Sequence, residues 1–196
     1  MSDPVVVPGS RTVRGRLDMP DASDVVVACP PHPRMGGSRR DQRLRAVSDA
    51  LAPEVACLRF DYGPWDGGRG ERSDAMNACS WARERFDRVG LFGYSFGAAV
   101  ALCAAADAES EPVAISALAP PAGLTADRDV VAALDGIDCP VQVISGERDD
   151  AVDWEPVAER ARELGYPVER VPAGHQFHGQ TDRVGTLVAS FFGNHC

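Results

Sequence analysis

The chain has 196 residues, 44% hydrophobic and 25% charged, a balance that excludes a disordered chain and suits about one domain, spanning 1–196, with a sizeable core. Acidic residues outnumber basic ones 29 to 20, and the net charge of −9 argues against a nucleic-acid partner, which needs clustered cations. No apolar run approaches the ~20 residues that span a bilayer, and the opening residues lack the basic flank and apolar stretch of a secretory signal, so no membrane partner and a cytoplasmic location are expected.

In chain order, residues 5–7 and 12–17 read as two opening strands joined by Pro8-Gly9-Ser10. Residues 24–29 form a continuous apolar strand stopped by Pro30-Pro31, and similar runs follow at 55–60, 89–92, 113–118 and 141–145, with a short one at 168–171. Helical patterns lie between them at 39–51, 73–86, 96–106, 155–164 and 183–192, with a shorter one at 127–134. Continuous apolar strands alternating with helices predict an α/β fold: a mostly parallel central sheet with helices on both faces. The Gly-rich stretch from Asp61 to Arg72 reads as a loop lining a site.

All 20 basic residues are arginine. Acidity without lysine resembles proteins of salt-loving organisms; a GC-rich genome, which favours Arg over Lys codons, accounts for it equally. The densest basic stretch, Arg39, Arg40, Arg43 and Arg45, reads as one solvated helix face. Six cysteines (29, 57, 79, 103, 139 and 196) form no C-x-x-C pair, so they are expected to be reduced core residues rather than metal ligands. No metal or cofactor is expected. A nucleotide-binding domain finds no support, since G-x-G-x-x-G and the P-loop lysine motif are both missing from the sequence.

Gly93-Tyr94-Ser95-Phe96-Gly97 fits G-x-S-x-G between a strand and a strong helix former, the setting of a serine held on a sharp turn. Its bland alternative is a helix N-cap serine flanked by packing glycines. Activating a serine hydroxyl requires a base, and the base an orienting carboxylate. The acidic turn after strand 141–145 offers Asp149, with Asp150 and then Asp153 as rivals. The loop after the last strand offers His175, with His178 as rival, and the order Ser95, Asp149, His175 suits one hydrolase class. Oxyanion donors are expected from the backbone of Phe96 and, because Pro33 has no N–H, of Arg34, with Met35 next. His32 reads as a loop-fixing hydrogen-bonding residue. Met35, Tyr62, Trp65 and Tyr94 are expected to line the substrate site.

With these residues placed, the chain resembles the α/β-hydrolase superfamily, and within it the small, lidless, dienelactone-hydrolase-like hydrolases. The matching pieces are Pro31-His32-Pro33-Arg34-Met35-Gly36-Gly37, Leu58-Arg59-Phe60-Asp61-Tyr62-Gly63, the segment around Ser95, Gly146-Glu147-Arg148-Asp149 and Gly174-His175-Gln176-Phe177-His178-Gly179. By this resemblance Ser95 is the nucleophile, Asp149 the acid and His175 the base. Relatives often carry His-Pro-His-Pro where this chain has Pro30-Pro31-His32-Pro33, and true dienelactone hydrolases use cysteine where position 95 is serine. Tyr62 and Trp65 also stand where relatives usually have an Arg-Gly pair.

The expected function is therefore hydrolysis of a small ester or thioester through an acyl-serine, with little sequence between residues 119 and 140 for a lid. The alternative is a catalytically silent binding or scaffold protein of the same fold. Neither the substrate nor the oligomeric state is legible in the sequence.

Overall fold

The computed structural model describes residues 2–108, 111–125 and 128–196. A hairpin of β1 (Ser2–Val7) and β2 (Val13–Asp18) opens the chain, followed by β3 (Asp24–Cys29), α1 (Gln42–Leu51), β4 (Val55–Asp61) and α2 (Arg69–Arg83). Next come β5 (Arg88–Tyr94), α3 (Phe96–Ala106), β6 (Ile115–Leu118), the short pair β7 (Gly123–Thr125) and β8 (Arg128–Asp129), and α4 (Val130–Ala133). The last elements are β9 (Val141–Gly146), α5 (Glu155–Glu163), β10 (Val168–Val171) and α6 (Thr181–Phe192).

Eight strands form one sheet in the order β1-β2-β4-β3-β5-β6-β9-β10. The β1–β2 and β2–β4 pairs are antiparallel, and every pair from β4 to β10 is parallel. Successive side chains of a strand face opposite ways, and β3 uses this fully: Val25, Val27 and Cys29 enter one core, Val26 and Ala28 the other. Residues of α2, α3 and α5 cover the first face, and residues of α1 and α6 the second. Helix α3 is buried from Phe96 to Ala105, and its alanine-rich surface lets it lie close to the sheet while neighbours cover its outer side. Five cysteines are buried and free, as expected of core residues; Cys196 is partly exposed. Among the described residues, no helix is long and apolar enough to cross a membrane.

Several boundaries differ from the sequence reading, each for a local reason. Helix α1 starts at Gln42 rather than residue 39, because the Asp41 side chain accepts the Arg43 amide at 2.9 Å and caps it. Arg43 is not on a solvated face; its side chain is buried against Tyr94, while Arg40 and Arg45 are exposed. Helix α2 starts at Arg69 rather than residue 73, because Glu71 reaches back to the Gly68 amide at 2.7 Å and the Asp66 amide at 3.0 Å. The β7–β8 pair was not foreseen. The short helix expected over 127–134 is confined to α4, capped by Asp129; position 127 lies outside the described residues.

Strands β4 and β5 lie on opposite sides of β3, so the chain order reverses there. In sheets of this kind, ligands bind at that reversal.

Candidate active site

Ser95 follows β5 immediately, at φ 55° and ψ −121°, a conformation costing of order 1–3 kcal/mol for a residue with a side chain. The turn is kept by what surrounds it. The Ser95 amide donates to Leu118 O at 2.8 Å, and the Ser95 carbonyl accepts from the amides of Ala98 and Ala99. A Cβ at position 93 would lie 2.2 Å from Gly97 O, and one at 97 would lie 2.2 Å from Cys29 O. Only glycine at both positions lets α3 press onto the end of β3. The Phe96 amide opens α3 with no acceptor among the described residues, at the helix's positive end.

The acidic turn after β9 places its three aspartates differently. The Asp149 amide closes the turn on Gly146 O at 3.2 Å, and Trp154 Nε1 donates to Asp149 O at 3.1 Å. This turns the Asp149 carboxylate inward and leaves Asp150 and Asp153 exposed. Asp149 Oδ1 accepts from the Ala151 amide at 3.1 Å, and Oδ2 lies 2.8 Å from His175 Nδ1. On the far side of the same ring, His175 Nε2 lies 2.9 Å from Ser95 Oγ. A buried carboxylate accepts, so Nδ1 carries the proton and the Nε2 lone pair faces the serine hydroxyl. His178, the rival histidine, is exposed.

The loop after β3 differs in part from expectation. His32 caps a 3₁₀ turn at Pro33–Met35, its Nδ1 accepting the Arg34 amide at 3.2 Å. The Met35 amide donates to His32 O at 3.0 Å. Neither amide is therefore free: Pro33 starts the turn and the turn consumes them, so an oxyanion would compete with His32 for Arg34. Burial, helped by the nearby Arg34 charge, holds the His32 pKa below its ordinary value, which keeps Nδ1 an acceptor.

An aromatic wall stands beside Ser95. The His32 ring packs against Trp65 at 4.4 Å and Phe96 at 4.8 Å between centroids, and Tyr62 meets Phe96 edge-on at 5.9 Å. Trp65 is 37% exposed and Met35 85%. Tyr62 turns its hydroxyl inward to Pro30 O at 3.2 Å. Tyr94 departs from the expected lining role. Alternation along β5 puts it on the buried side with Phe92; it is 1% exposed, and its hydroxyl donates to His175 O at 2.9 Å.

The sequence reading missed the anchors of these loops. Arg11, in the β1–β2 turn, donates from Nε to Asp74 at 3.1 Å and from Nη2 to Glu71 at 3.4 Å and to Pro64 O, pinning the loop that carries Trp65. Asp61 accepts the Arg39 amide at 2.7 Å and pairs with its guanidinium, tying the His32 loop to the end of β4. Both contacts join residues more than twenty positions apart, beyond any local sequence signal.

No family model and no curated protein sequence matches the chain. Solved structures do. An α/β serine hydrolase without lid from Xanthomonas campestris is 25% identical, with a TM-score of 0.80 over 98% of this chain and 94% of that one. A dienelactone hydrolase from Anabaena variabilis is 22% identical, with a TM-score of 0.82 over 100% of this chain and 98% of that one. An esterase from Pyrococcus furiosus is 17% identical, with a TM-score of 0.86 over 100% and 91%. The similarity runs through the whole sheet and both helical layers: the chain has the α/β-hydrolase fold, in a form similar to that of lidless serine hydrolases.

Proposed function

We propose that the protein is a serine hydrolase that cleaves small carboxylic esters or thioesters by way of an acyl-enzyme, with Ser95 as nucleophile, His175 as base and Asp149 as orienting acid. One observation carries the reading: a single imidazole bonds a buried carboxylate on one side and the elbow serine on the other, at 2.8 and 2.9 Å. The neighbours named as esterase and dienelactone hydrolase favour ester chemistry.

In this mechanism Ser95 Oγ attacks the substrate carbonyl while its proton passes to His175 Nε2. Asp149 stabilises the imidazolium and holds the ring. The tetrahedral oxyanion forms at the start of α3, where the Phe96 amide and the helix dipole meet it; the Arg34 amide joins by leaving His32. Collapse breaks the ester bond, and His175 returns the proton to the departing alcohol or thiol. Water, deprotonated by the same ring, then releases the acid and restores Ser95. Trp65 and Met35 supply the exposed apolar surface that meets the substrate, with Phe96 and then Tyr62 packed behind Trp65.

The test is Ser95→Ala on p-nitrophenyl acetate, paired with fluorophosphonate labelling of the parent protein. The expected result is labelling at Ser95 and a loss of about 10⁶-fold in kcat with the fold unchanged. Turnover that survives in the alanine variant, or folded parent protein that resists the probe, overturns the proposal; the second outcome favours a silent binding protein.

A further inference from the structure

We propose that Arg43 and Tyr94 are positioning residues for this reaction: from beneath the loop after β10 they grip two consecutive carbonyls, at 175 and 176, and so hold the His175 imidazole at Ser95. The inference rests on the hydrolase reading above.

Tyr94 Oη donates to His175 O at 2.9 Å, and its ring packs beside the imidazole with centroids 5.4 Å apart. The Arg43 guanidinium lies 4.4 Å above the Tyr94 ring and donates from Nη1 to Gln176 O at 3.4 Å. Asp41, which also caps α1, fixes the guanidinium from its other side through Nη2 at 2.5 Å. Among the described residues, no main-chain amide reaches either carbonyl. The Phe177 amide, donating to Gly174 O at 3.1 Å, closes a turn around residues 175 and 176, and Asp149 bonds the imidazole; Tyr94 and Arg43 fix the carbonyls of that turn from beneath.

Arg43 is itself buried. The residue is only 7% exposed, and its Nε is buried without an acceptor. An unpartnered buried donor is costly. The pairing with Asp41 accounts for one end of the guanidinium; its other end and its flat face are turned to the histidine loop. A displacement of about 1 Å in a reacting group can cost on the order of 10²-fold in rate. A loop held through two carbonyls avoids that error.

The experiment compares Tyr94→Phe, Arg43→Met and Arg43→Lys with the parent on p-nitrophenyl acetate, with active sites titrated and assays run well below each melting temperature. The phenylalanine variant keeps ring and packing and loses one hydrogen bond. Its kcat is expected to fall about tenfold with KM within about twofold. Arg43→Met is expected to lose at least as much kcat per titrated active site, and to melt lower because it strands the Asp41 carboxylate. Lysine should not rescue it, since an ammonium cannot lie flat on the ring and bond both Asp41 and Gln176 O. Unchanged kcat in both Tyr94→Phe and Arg43→Met, or losses that vanish once corrected for folded fraction, overturn the inference. An inert parent enzyme refutes the hydrolase reading and this inference together; an active parent with indifferent variants refutes this inference alone.

Discussion

Asp149→Asn changes one atom in the proposed catalytic group, and the surrounding contacts decide which way the new amide points. Asp149 Oδ1 faces the Ala151 N–H at 3.1 Å, a position that only an oxygen satisfies. The amide nitrogen is therefore left facing His175 Nδ1, which lies 2.8 Å from Oδ2. Two donors cannot share that contact, so the ring adopts the other tautomer, with its proton on Nε2. That proton then points at Ser95 Oγ, 2.9 Å away, and no lone pair remains to accept the hydroxyl. The same exchange in serine-protease triads costs about 10⁴ in kcat, equivalent to about 5 kcal/mol of transition-state stabilisation at ~1.4 kcal/mol per tenfold. Stability should change far less, because removing the ion also removes its desolvation cost. The assay is kcat and KM on p-nitrophenyl acetate at neutral pH, beside a thermal melt. A variant that keeps more than about a tenth of the parent kcat would show that Asp149 does not set the tautomer.

Arg11→Met leaves Glu71 and Asp74, whose side chains are fully buried, without their shared cation, and should lower stability in urea by about 3–5 kcal/mol at neutral pH. Burial already raises the Asp74 pKa, so the loss should shrink as acid protonates the stranded carboxyls; a loss below about 1 kcal/mol at neutral pH refutes the anchoring role. The lowered His32 pKa also acts toward acid pH: a histidine favoured neutral in the fold gives its full contribution above its ordinary value of 6.5 and loses it as pH falls through the lowered one. The stability difference between the parent and His32→Asn, measured in urea from neutral to acid pH, should therefore narrow below 6.5, and a constant difference would exclude it.

What was legible in the sequence was whatever local chemistry decides. The serine elbow could be read because the two glycines that permit it lie two residues either side of Ser95. The central strand runs could be read because burial on both faces keeps them mostly apolar, the buried Ser116 and Gln142 being bonded to each other. Two misreadings had signals that went unused. Arg43 stands four residues before Val47, on the same helical stripe as Leu44 and Leu51, so its place was inward despite its charge. Tyr94 stands two residues after Phe92, which places both on one buried face of β5. The start of α2 was hidden by Gly67, Gly68 and Gly70, although Glu71 three positions after Gly68 is a capping pattern. Arg11 had no local signal, because its partners are about sixty residues away.

The topology also explains why the histidine loop needs holding at all. Asp149 follows β9 and Ser95 follows β5, with β6 between them, while the chain that delivers His175 leaves from β10, one strand further out. Three strand spacings of about 4.8 Å make a span of ~14 Å from β10 to β5. The four residues from Val171 to His175 cover at most about 14 Å even when extended, and the bond from the Ala173 amide to Val171 O at 2.7 Å shortens that reach, so the imidazole completes the distance. The contacts along it trace that path. Ala173 crosses directly over β9, where a Cβ at Gly146 would lie 2.6 Å from its carbonyl and where it accepts the Arg148 amide at 3.0 Å. His175 then arrives over β5, where the Tyr94 hydroxyl, in the position before the serine, meets its carbonyl. The Ala173 amide on Val171 O and the Phe177 amide on Gly174 O turn the segment on either side of the histidine, while among the described residues the carbonyls at 175 and 176 receive no main-chain amide. The side chains beneath supply those bonds, and they lie on β5 itself and on α1, which packs against the same face of the sheet.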